Sequence, residues 1–115
     1  MQGPKADVFV LYGISGDLAH IGPKFDDPAP VEPSQLEHSW RQDHALLERA
    51  EAADPAGYFD VVAAEHDARR ICGLPPTYTV LAAARPSRGT LLNYDRYVAP
   101  DGFIVLTSET YRGFV

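Results

Sequence analysis

Two short islands carry the residues whose types suit chemistry. One is Asp17-Leu18-Ala19-His20-Ile21-Gly22-Pro23-Lys24-Phe25, which holds an imidazole; the other is Ile71-Cys72-Gly73-Leu74-Pro75-Pro76, which holds the only Cys of the 115-residue chain. An imidazole and a thiol, each on a tight loop, can meet in space and share a metal or a reactive small molecule. Two protein groups are too few for a closed metal site. The sequence therefore points to a site and, at the same time, to an incomplete one.

Each residue has a bland reading beside the functional one. His20 is expected just past an apolar strand, where open α/β sheets place their ligands. It would serve there as a general acid/base or a ligand, or simply hydrogen-bond its own loop. Asp17 would orient the imidazole as a neighbouring carboxylate, or cap the turn through its own backbone. Cys72 is a soft ligand or nucleophile as a thiolate and a small buried hydrophobe otherwise. Arg69 and Arg70 precede it, and would either lower its pKa or lie in solvent. His38 and His44 do not share a helical face and read as surface residues, and His66 reads as a cation at a helix C-terminus. Asp26, Asp27 and Glu32 lack the spacing of a calcium loop and read as solvated carboxylates. Tyr94, Tyr97 and Tyr111 read as packing, or as a wall for an aromatic ligand.

The elements that must position these groups follow from patterning. Val8-Phe9-Val10-Leu11-Tyr12 reads as a strand buried on both faces, and Gly13-Ile14-Ser15-Gly16 as the turn that ends it. A proline-rich loop follows, from Pro23 to Pro33. A helix is predicted from Pro33 or Ser34 to about Ala53, with Trp40, Leu47 and Ala50 on one face. Asp54-Pro55 reads as the cap and first residue of a second helix, with Phe59, Val62, Ala63 and His66 as its stripe. A third helix is expected over 77–84. Strands are expected at 90–94 and 103–107, joined by the turn Ala99-Pro100-Asp101-Gly102. The class is α/β: a single domain with helices packed on a small mixed sheet.

Composition excludes several functions. Apolar residues make up 45%, enough for a core, and the net charge is −6 without any basic cluster. Nucleic acid and anionic membranes are therefore not the expected partners. A single Cys forms no internal disulfide, no apolar run is long enough to span a bilayer, and no signal-peptide pattern opens the chain. The expected location is the cytoplasm.

Taken together, the islands resemble the Memo family, whose bacterial members are called AmmeMemoRadiSam system protein B. The resemblance is carried by Asp17 to Phe25, Asp54-Pro55-Ala56-Gly57-Tyr58-Phe59, Arg70 to Leu81 (with Ile71-Cys72-Gly73-Leu74-Pro75-Pro76 the most specific stretch) and Gly89-Thr90-Leu91-Leu92-Asn93-Tyr94. It implies an α/β/α fold similar to the class III extradiol (LigB-type) dioxygenases. It implies a pocket in which His20 is a proton shuttle or metal ligand, Cys72 a thiolate ligand and Asp17 the carboxylate that orients His20. It also implies a transition metal, iron or copper, and dioxygenase-like redox chemistry in an intact pocket. The chain resembles only the C-terminal part of such a protein, and nothing in it matches the family's other pocket His residues. The expectation is a partial domain, inactive alone, completed by a second chain or by a second copy of itself. The alternative from another class is a non-catalytic module that binds a peptide or small molecule, or buffers a metal. The stretch from Val8 to Ala19 also resembles the nucleotide turn of glucose-6-phosphate dehydrogenases. Gly22-Pro23 breaks the chain where a dinucleotide turn needs a helix, so a nicotinamide-dependent fragment ranks last.

Overall fold

A computed structural model describes residues 14–85 and 88–114. The expected strand at Val8 to Tyr12 lies outside them. The first described element is β1 (Ile14–Ile21), followed by a 3-10 turn (Pro23–Phe25) and three helices: α1 (Pro33–Glu51), α2 (Pro55–Ala64) and α3 (Leu74–Ala84). β2 (Gly89–Val98) and β3 (Val105–Phe114) are the last described elements. The described strands form one antiparallel sheet in the order β1-β3-β2. The predicted class holds, with three helices packed on a small sheet, but the described strands pair antiparallel rather than as a mixed sheet.

Local chemistry explains the helices. Glu32 and Gln35 cap α1 reciprocally, each side chain taking the other's backbone N–H. The Asp54 carboxylate accepts the Gly57 N–H at 2.9 Å and Pro55 opens α2, as the sequence predicts. α3 starts three residues earlier than expected. Pro75 and Pro76 sit in its first turn, where a missing N–H costs nothing.

Along β3, Val105, Thr107, Glu109 and Tyr111 are buried against the helices, while the residues between them face outward. The core gathers Leu46, Leu47 and Ala50 of α1, Tyr58 and Val62 of α2, Leu81 of α3, and Leu18, Ala19, Ile71 and Tyr111. Two predicted faces shift. Leu46 joins the α1 face, and Trp40 at its edge lies under the Arg96 guanidinium, 4.3 Å from the ring centroid. On α2, which starts at Pro55 as predicted, Tyr58 and Val62 point inward while Phe59 and Ala63 are exposed.

The expected turn at Gly13 to Gly16 is corrected. Ile14, Ser15 and Gly16 are strand, paired with Tyr111, Thr110 and Glu109. Their flexible composition gives way to pairing with a strand some ninety residues later in the chain. His20 is likewise inside β1 rather than beyond its end. The strands at the C-terminal end also run longer than their apolar runs, since ladder pairing continues through Asp95, Arg96 and Tyr97 on one side and Ser108, Glu109 and Thr110 on the other.

Among the described strands, β1 has no neighbour on its other side. The segment 69–73 covers it: the His20 N–H donates to the Arg69 carbonyl at 2.8 Å, and the Gly73 N–H to the Asp17 carbonyl at 2.6 Å. Those two bonds deliver Cys72 to the strand that carries Asp17 and His20.

Gly22 follows β1 at φ 110°, with its α-carbon facing the backbone of Phe103. A Cβ there would collide with the Phe103 carbonyl oxygen. Gly22→Ala should therefore lower stability by about 2 kcal/mol or more, read as a fall in midpoint in urea unfolding. An unchanged midpoint would contradict this close approach.

Candidate functional site

The site begins with a fault in β1. Asp17 pairs with Ser108 and His20 with Leu106, so Leu18 and Ala19 together oppose Thr107 alone. This is a β-bulge. In a regular strand, residues three apart point to opposite faces. The extra residue puts Asp17 and His20 on the same side. Both residues of the bulge are fully buried, and the Ala19 N–H donates to the Thr107 hydroxyl at 2.8 Å.

Segment 69–73 then brings up the thiol. One ligand atom from each of Asp17, His20 and Cys72 lies within 4.8 Å of the others. His20 Nε2 is 3.9 Å from Cys72 Sγ and 3.6 Å from Asp17 Oδ2. The other ring nitrogen, Nδ1, faces the carbonyls of Leu18 at 3.1 Å and Arg70 at 3.0 Å. Carbonyls only accept, so in the neutral ring Nδ1 carries the proton and the Nε2 lone pair faces Cys72 and Asp17. The sequence-predicted residues thus converge. Asp17 lies on the Nε2 side, as a companion donor, and the contacts that orient the ring come from backbone carbonyls.

The geometry decides the other expectations, some for and some against. Cys72 is exposed rather than a core hydrophobe. Partial shielding of its sulfur from water and the Asp17 charge push its thiol above the usual value, so the neighbouring arginines do not acidify it. Arg69 is instead buried, with its guanidinium 2.5 Å from Asp43 and bonded to Glu65 and Ser39. Arg70 reaches Asp27 at 2.9 Å. Asp27 is therefore not a solvated carboxylate. Its burial would raise its pKa, but the Arg70 hydrogen bond, the Gly22 N–H and the Arg70 charge together hold it below the usual range. His38 and His44 are exposed, bonded to Glu65 and to the Trp40 carbonyl, and His66 lies exposed just beyond α2 at φ 54°. Of the three tyrosines, Tyr111 is core, Tyr94 donates to Asp43 at 2.6 Å, and Tyr97 is 56% exposed.

Two recesses flank Asp17. One of about 410 Å³ runs past Cys72, Ser108 and Glu109, and one of about 350 Å³ runs past Asp95, Tyr97 and Leu106. Of Tyr94, Tyr97 and Tyr111, only Tyr97 lines one of these two recesses and so fits the aromatic-wall reading.

Sequence reasoning missed Glu109. It is 1% exposed on the inner face of β3, with Oε1 accepting from Tyr58 at 3.3 Å and Thr77 at 3.5 Å. Burial pushes its carboxyl up to about 8, with the Asp43 charge adding to the rise and the Tyr58 hydrogen bond opposing it. The inward alternation of Val105, Thr107, Glu109 and Tyr111 was the available signal. It was hidden because 103–107 read as the whole strand.

These features describe an α/β protein with a candidate metal centre of mixed oxygen, nitrogen and sulfur donors. Among the described residues, no helix is long and apolar enough to cross a membrane. A family model described as Memo-like protein matches residues 5–102, and the chain belongs to that family. No curated protein and no solved structure matches the chain.

Glu109 has a consequence for pH. The unfolded chain releases this proton near 4.5 and the folded chain near 8. Between those values the folded state binds more protons, so stability falls as pH rises, by up to about 1.4 kcal/mol per pH unit. Urea unfolding from pH 5 to 8 should show that slope in the wild type and a flatter one in Glu109→Gln. Parallel profiles would refute the assignment.

Proposed function

We propose that this chain contributes Asp17, His20 and Cys72 as one half of a metal-binding pocket. The carrying observation is the convergence of three chemically suitable donor atoms within 4.8 Å, with the carbonyls at Nδ1 turning Nε2 of His20 toward the other two. The donor set fits a transition metal. Thiolate and imidazole suit zinc, copper and iron better than calcium or magnesium. Binding would displace the thiol proton.

The identity of the metal belongs to the same proposal: iron or copper, in line with the Memo family resemblance. Such a metal supplies redox chemistry and an open position for a small molecule. His20 would hold or move a proton at Nε2 when not ligating, and Asp17 would fix the site's charge. Three donors leave at least one position of a closed site to be filled. We assign it to a second polypeptide chain seated against the outer sheet face, where Leu106 and Tyr97 line the recess beside Asp17. The chain alone is then a binding half rather than a complete enzyme.

Equilibrium titration with Zn²⁺ and Co²⁺ tests the site. The wild type should bind about one metal per pocket, and His20→Ala and Cys72→Ser should each weaken binding by about tenfold or more. Equal affinity in all three proteins would favour a binding module that makes no use of these donors.

A further inference from the structure

The carbonyl of Arg70 comes to His20 from a segment fifty residues away in sequence. Arg70 itself sits at φ 55°, a left-handed conformation that costs a side-chain-bearing residue energy. Something must hold it there. Its guanidinium donates from Nη1 to the His20 carbonyl at 3.1 Å and from Nη2 to Asp27 Oδ1 at 2.9 Å. The second Asp27 oxygen accepts the Gly22 N–H at 2.8 Å. The loop from Gly22 to Asp27 also supplies Phe25, whose ring meets the imidazole edge-on, with centroids 5.3 Å apart and planes at 88°. A closed circuit therefore runs from His20 through Gly22 and Asp27 to Arg70 and back to the imidazole.

We propose that Arg70 and Asp27 are positioning residues, a latch that fixes the tautomer and orientation in which His20 offers Nε2 to Cys72 and Asp17. Arg70 grips His20 twice, through its own carbonyl on the ring and through its guanidinium on the main chain. Asp27 anchors the guanidinium and, through Gly22, the end of β1. The metal-affinity part of this proposal rests on the site reading above. The tautomer part does not. Outer contacts of this kind on a ligating His are worth about 10–100-fold in metal affinity.

The test uses Asp27→Asn and Arg70→Lys. The first keeps size but loses the charge, and the second keeps the charge but cannot reach both acceptors with one ammonium. Glu37→Gln, which breaks the exposed pair with Arg41, is the control. The tautomer of His20 is read by ¹⁵N NMR of the metal-free protein at about pH 8.5, where imidazoles are neutral. The wild type and Glu37→Gln should show the proton on Nδ1, and both latch variants should show a population with the proton on Nε2. Zn²⁺ affinity should fall about 10–100-fold in the latch variants and stay unchanged in Glu37→Gln. Should one variant fail to fold, the other decides. An Nδ1-protonated ring in every folded latch variant overturns the proposal. Absence of zinc binding by the wild type would instead overturn the metal reading and leave the tautomer result to judge the latch.

Discussion

The site depends on one extra residue in β1. Leu18 and Ala19 occupy the space opposite Thr107 that a regular ladder gives to one residue. Were the same residues to run as a regular strand, Asp17 and His20, three apart, would face opposite sides of the sheet. The bulge is held from both directions. Burial of Leu18 and Ala19 fixes it in the core, and the Thr107 hydroxyl takes the Ala19 N–H that the ladder leaves over. The strand beyond it is then free to meet segment 69–73, which carries the thiol.

The polar groups beneath the site organise the helices around it. Arg69 is the hub, joining Ser39 and Asp43 of α1 to Glu65 at the end of α2, while its carbonyl receives the His20 N–H. Asp43 also takes the Tyr94 hydroxyl from β2. The same residue stretch, Arg69 to Gly73, thus covers the edge of β1, clamps two helices and presents Cys72. A buried ion pair of this kind adds little net stability but is costly to break one-sidedly, so its service is to geometry. Glu109 is the exception, a buried acid satisfied at one oxygen only and costly to ionise.

The parts legible in the sequence are those fixed by nearby residues. Asp54-Pro55 announced α2, and Ala99-Pro100-Asp101-Gly102 announced the bend between β2 and β3, because caps and turns are decided within a few residues. The pairing of His20 and Cys72, fifty-two positions apart, was legible through family resemblance. The bulge was not legible, since it exists only relative to Thr107, a residue of a distant strand. For the same reason Gly13 to Gly16 read as a turn. Asp27 and Arg70 looked like solvated charges because no local pattern distinguishes a loop carboxylate from one that receives an arginine forty-three residues later. Helix α2 shows a milder case: its start was assigned correctly, but its stripe ran on to His66, beyond the helix end at Ala64, and took Phe59 instead of Tyr58 for the core.

The central claim is that the bulged strand and the covering segment place one imidazole and one sulfur on the same ion. X-ray absorption at the metal edge of the zinc-loaded protein reads this directly. The account predicts one sulfur at about 2.3 Å together with imidazole nitrogen at about 2.0–2.1 Å. A shell of oxygen and nitrogen alone, with no sulfur, would contradict it.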